Sequence, residues 1–130
     1  MKIETHKEAL AEYMMHIEQA KHSLENSKRL LLMICSQAAL EAVSILLHKL
    51  KFLDESAAVK HNWLDSKKFW ADLPDFNKKP MISKLAAEIE RNRALAYGTL
   101  KSIKADDLLK NISSLFELTG LVEDVSNEKL

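Results

Sequence analysis

Between Ser27 and Leu53 the chain carries a stretch that is apolar on almost every side when wound as a helix. It contains Leu30, Leu31, Leu32, Met33, Ile34, Ala38, Ala39, Leu40, Val43, Ile45, Leu46, Leu47 and Leu50. At 100° per residue these positions cover most of the circumference instead of one stripe. Such a helix cannot lie on a surface. It must be covered by other helices, some of them from a second subunit if one chain supplies too few. Its most apolar window, Leu30 to Leu47, approaches bilayer-spanning length, but Ser36, Gln37, Glu41 and Ser44 interrupt it. The stretch therefore reads as the central helix of a soluble core.

The polar residues of this helix are ordered. Gln37, Glu41, Ser44 and His48 follow one another at spacings of four, three and four, which draws a narrow polar seam along one face. Two readings stay open. The seam is the solvent edge of the helix, or it is buried and Glu41 faces a cation from elsewhere.

The flanking chain supplies covering helices. Leu10, Tyr13, Met14, Ile17, Ala20 and Leu24 recur at threes and fours and predict an amphipathic helix over about His6 to Asn26. His6, His16 and His22 lie along it at gaps of ten and six, neither of which suits a metal pair on one helix. From Asp54 to Lys79 the pattern loosens: Asn62 opens a short helical turn, and Pro74 with Asn77 marks a loop. Trp63, Phe69, Trp70 and Phe76 alternate there with lysines, either stacking bases or anchoring the connection to the core. A helix opens near Pro80 and ends near Gly98, and a last one starts at Asp106 and Asp107 and stops at Gly120.

With only two glycines and two prolines in 130 residues, little interrupts the helices, and the fold class is all-α. The expected architecture is an antiparallel bundle of four to five helices forming one domain over residues 1–124, with 125–130 as a flexible tail. Cys35 is the single cysteine and sits in an apolar run, which excludes a disulfide scaffold and points to a reducing compartment. The start of the chain carries no signal pattern, so the expected location is cytoplasmic.

The formal net charge is zero, but it is unevenly spread. Residues 60–104 carry ten basic and five acidic groups, and residues 105–130 carry two and six. A basic band of this kind attracts polyanions, or is matched by the acidic tail or by a second copy.

The band contains Ile89-Glu90-Arg91-Asn92-Arg93-Ala94-Leu95-Ala96-Tyr97-Gly98. Ile82, Leu85, Ala86 and Ile89 form a stripe, and extending it brings Asn92, Arg93 and Ala96 onto the same face while Arg91 points roughly the other way. An arginine on an apolar stripe needs an acid, a carbonyl, an anion or water. Arg93 either holds Glu90, three residues back, or meets an acid elsewhere. Glu41, the one acid on the central helix, is the expected partner of Arg93 or Arg91.

Arg91-Asn92 followed by three residues and then a small residue, an aromatic and a glycine, Ala96-Tyr97-Gly98, resembles the signature of HEPN domains, small dimeric helical proteins widespread in prokaryotes. The resemblance implies two long antiparallel helices, an acidic residue on the second, then the Arg-Asn helix and a closing helix. It also implies metal-independent RNA cleavage by an arginine and by a histidine with four to six residues between them. In this chain that window holds Ala96, Tyr97 and Gly98, none of them histidine. Tyrosine, with an ordinary pKa of about 10, is a poor general base but can donate a hydrogen bond to a phosphate oxygen.

The resemblance thus assigns Arg91 and Tyr97 to whatever catalysis remains, and Asn92, Arg93, Glu41 and His48 to binding, with His48 a candidate stand-in for the missing histidine. It implies a homodimer whose Tyr97 segments form a basic cleft for RNA or a nucleotide, in an RNA-targeting or toxin–antitoxin type system. No cofactor, metal or membrane is expected. The alternative is a non-catalytic interaction protein partnering a nucleotidyltransferase-like protein.

Overall fold

The computed structural model describes residues 2–130 apart from the side chain of Leu100. Among these residues there are six α-helices and no strand: α1 (Ile3–Ala20), α2 (Lys28–Lys49), α3 (His61–Leu64), α4 (Lys67–Asp72), α5 (Lys79–Arg93) and α6 (Ala105–Ser126). The four long helices match those expected, and the two short ones lie in the connection where the periodicity lapses.

The apolar helix α2 is the centre, with α1, α5 and α6 packed around it. Leu31, Leu32, Ala38, Ala39, Val43, Ile45, Leu46 and Leu47 are all buried. Among the described residues α2 is the one helix long and apolar enough to cross a membrane, and 72% of its most apolar window is buried inside the protein. Contacts between named residues fix the directions. Ser36 meets Glu90 and Arg29 meets Ala96, so α2 and α5 are antiparallel. His6 meets Glu41 across the α1–α2 hairpin.

Several helix ends differ from expectation, each for a local reason. α1 starts at Ile3 and its α-helical part stops at Ala20. Lys21–Asn26 continues as a 3-10 turn, broken at Ser23 (φ −138°, ψ 59°). α2 ends at Lys49, short of Leu53, because Lys51 turns left-handed (φ 63°) and the amide of Phe52 donates back to the carbonyl of Leu47 at 2.9 Å. That is a Schellman closure made without glycine. α5 tightens into the 3-10 turn Ala94–Tyr97, and Gly98 is extended (φ −89°) instead of left-handed.

Gly120 does not end the last helix. α6 runs through it to Ser126 and is stopped by Asn127, which adopts the left-handed conformation (φ 59°). The helix therefore takes in two residues of the expected tail. Beyond it, Glu128 accepts from Lys49 at 3.0 Å and from Lys7 at 3.4 Å, and the amide of Leu130 donates to Glu123.

Two predictions follow from these ends. A Cβ at Gly120 would meet nothing within 4 Å, so Gly120→Ala removes mid-helix backbone freedom and should stabilise the protein by about 0.5–1 kcal/mol in chemical denaturation. An unchanged or lower stability would mean α6 is not continuous there. The pairing with Lys49, reinforced by Lys7, pulls the Glu128 carboxyl below its ordinary 4.5. A depressed carboxylate stabilises the fold above its unfolded value and loses that contribution as pH falls through the folded one. Thermal stability should therefore fall below about pH 4.5 less steeply in Glu128→Gln than in the parent.

Candidate functional site

The arginine stretch ends α5 where α5 crosses the first turns of α2. Arg93 donates from Nε to Glu90 Oε2 at 2.8 Å, the local pairing that its spacing allowed. Glu90 is 6% exposed and does more than hold Arg93. Its Oε1 accepts from Ser36 Oγ at 2.7 Å and lies 2.7 Å from His61 Nδ1, while His61 Nε2 lies 2.9 Å from Gln37 Oε1. A carboxylate buried here is stable because a guanidinium, an imidazole and a hydroxyl converge on it. The network ties α2, α3 and α5 together.

Ser36, His61 and Glu90 do not form a hydrolytic triad, because a triad places the serine and the acid on opposite nitrogens of the imidazole. Here Ser36 and Glu90 both approach Nδ1, and Nε2 is held by Gln37. No proton path runs from the hydroxyl through the ring.

Glu41 does not meet either arginine, contrary to expectation. Its Oε2 lies 2.5 Å from His6 Nδ1 on α1. The polar seam is buried and not a solvent edge: Glu41, Ser44 and His48 are all inside, and Gln37 is half-buried. His48 stacks on His6 with ring centres 5.2 Å apart. Burial, and then the neighbouring His6, lower its pKa from the ordinary 6.5. It does not replace the missing motif histidine. Ser36 marks where α2 meets Glu90, and His48 is twelve residues further on, about 18 Å along the helix axis.

Arg91 and Asn92 stay beside one another. With Glu88, Leu95, Asp107, Lys110, Asn111 and Ser114 they line a cleft of about 410 Å³ between α5 and α6. The cleft is of mixed sign and not purely basic, with Arg91 and Lys110 against Glu88 and Asp107. Arg91 also borders a second cleft of about 350 Å³ with Ser66, Lys67, Ser83 and Lys84.

Asn92 Nδ2 donates to Asn111 Oδ1 at 3.0 Å. The Asn111 amide in turn lies beside the Cys35 sulfur without meeting hydrogen-bond geometry, and its Nδ2 finds no acceptor. Burial pushes the Cys35 thiol up to about 12, with Asn111 holding the rise back. A thiol so shifted is not a nucleophile at neutral pH.

Tyr97 is 74% exposed at the end of the 3-10 turn. Arg29, which nothing in the pattern singled out, holds this turn. It donates from Nε to the carbonyl of Ala96 and from Nη2 to that of Gly98, both at 3.0 Å, on either side of Tyr97. The aromatics of the connection are anchored: Trp63 stacks on Phe69 with ring centres 5.1 Å apart, and Trp70 donates from Nε1 to the carbonyl of Leu64.

Among the described residues no group of three or more His, Cys, Asp or Glu side chains is placed to hold a metal ion. No family model, curated protein or solved structure matches the chain.

Removing Glu90 would strand Arg93, His61 and Ser36 at once. Glu90→Ala should cost about 3–5 kcal/mol in urea denaturation, whereas Arg93→Ala, at the exposed end of the network, should cost about 1 kcal/mol or less. Equal costs for the two would show that Glu90 acts only through Arg93.

Proposed function

We propose that this chain is a HEPN-like dimeric module of an RNA-targeting or toxin–antitoxin type system. In this reading it acts in the cytoplasm and binds the phosphate of RNA or a nucleotide in the cleft between α5 and α6 without cutting it. One observation carries this reading. Of the three arginines, Arg29 holds two carbonyls and Arg93 holds Glu90, whereas Arg91 has no hydrogen bond or ion pair among the described residues. An uncommitted guanidinium is a planar fork suited to a phosphate. Lys110 adds a second cation, and Asn92 and Asn111 line the same cleft.

Binding without cleavage is the better-supported form of the resemblance because no histidine lines this cleft. Tyr97 at pH 7 is a hydrogen-bond donor and a stacking surface, not a base. Its exposure, together with that of Leu95, leaves it available to a base or to the matching turn of a second copy. Leu30 and Met33, also exposed on α2, favour the second reading, a non-catalytic partner of a nucleotidyltransferase-like protein.

Fluorescence polarisation with a labelled single-stranded RNA separates these readings. Affinity should fall steeply with salt, and Arg91→Ala should weaken binding and reduce the log–log salt slope by about one phosphate contact. Arg93→Lys should have little effect. A flat salt response, or full binding by Arg91→Ala, would remove the phosphate reading and leave the protein-partner one. Cleavage that persists in chelator and vanishes in Arg91→Ala would overturn the non-cutting form.

A further inference from the structure

At the far end of α2 from the arginines, two imidazoles sit against each other inside the protein. His6 is 2% exposed and His48 9%, and their ring centres are 5.2 Å apart. His6 presents Nδ1 to Glu41 Oε2. The backbone at Leu53 and Ala57 lies near the His48 ring. The Nε2 atoms of both rings are buried and unpartnered.

This is an unusual way to bury a histidine. A buried polar atom without a partner costs about 1–3 kcal/mol, and two occur here side by side. The Glu41 carboxylate at His6 Nδ1 favours the tautomer that carries its hydrogen there and leaves the lone pair on Nε2. A carboxylate or carbonyl on the far nitrogen is how ligating histidines are oriented.

We propose that His6 and His48 form a binding site for one divalent transition-metal ion of the zinc type, held through their two Nε2 atoms. Two imidazoles sharing a tetrahedral ion, each nitrogen about 2.0–2.1 Å from it, have ring centres roughly 5 Å apart, in line with the observed separation. Glu41 is the outer carboxylate that holds His6.

With two protein nitrogens, the ion's remaining positions go to water or to a small ligand. On the His48 side the site borders a cleft of about 490 Å³, whose charged lining is Lys2, Glu4, Lys51, Asp54 and Glu55. The site is separate from the α5/α6 cleft and stands whether or not that cleft binds phosphate.

The test uses the intact chain after stripping with chelator. Long-range proton–nitrogen NMR on the unmodified protein should show Nε2 of His6 and His48 as bare, unprotonated nitrogens. Adding Zn²⁺ should move both together and saturate at one equivalent, while the exposed His16 and His22 change little. Calorimetry should give one site, weakened about 10–100-fold in Glu41→Gln and lost in His48→Phe, which keeps a ring in the core. The His16→Ala and His22→Ala variants should bind as the parent does. No change at His6 and His48 in excess zinc, or zinc binding that survives His48→Phe, would overturn the proposal.

Discussion

Everything in this fold depends on covering α2. A helix apolar on nearly all sides can leave little in water beyond Leu30 and Met33 near its start, so it recruits α1, α5 and α6 around itself. Each buried leucine or isoleucine side chain contributes roughly 1.5–3 kcal/mol relative to exposure, and α2 supplies six fully buried ones, from Leu31 through Leu47 counting Val43 with them. The partners need only one apolar stripe each. That is why α1, α5 and α6 are amphipathic while α2 is not.

The polar chemistry is distributed by the same requirement. Ser36, Glu41, Ser44 and His48 are carried into the interior with the leucines and must be satisfied there. Ser44 turns back on its own helix, donating to the carbonyl of Leu40 at 2.8 Å. The others reach across to different neighbours: Ser36 to Glu90 on α5, Glu41 and His48 to His6 on α1. One seam on one helix thus becomes two polar centres, each facing a different covering helix. Arg93 is drawn into one of them by Glu90, which leaves Arg91 on the solvent side of α5.

How much of this could be read from the letters depends on how far apart the partners lie. The long helices were legible because their apolar spacing is a local property. Gly98 does follow the end of its helix, but Gly120 misled because a glycine permits a helix end without requiring one, and Asn127 took the left-handed position instead. The Arg93–Glu90 pair was legible as an alternative, being three residues apart on one helix. Glu41 with His6 was not, since 35 residues separate them and nothing in the spacing of His6, His16 and His22 shows that His6 faces another helix. Arg29 meets carbonyls 67 and 69 residues away, and backbone acceptors leave no mark in a sequence at all. His61 was hidden for the same reason: its partners, Glu90 and Gln37, lie 29 and 24 residues off.

The buried polar groups of α2 do one thing that its leucines cannot. A helix of nearly uniform apolarity packs about equally well at several rotations and heights, because each exchanges one set of methyl groups for another. Moving α2 by one residue turns it 100° and would take Ser36 from Glu90 and Glu41 from His6 together. Each stranded group would cost about 1–3 kcal/mol, and more for a charge. The two polar centres face different neighbours, so no rotation that spares one of them rescues the other. On this argument the interior carboxylates, weak as sources of net stability, select one arrangement of the bundle out of several. That arrangement is the one that sets Arg29 opposite the Tyr97 turn.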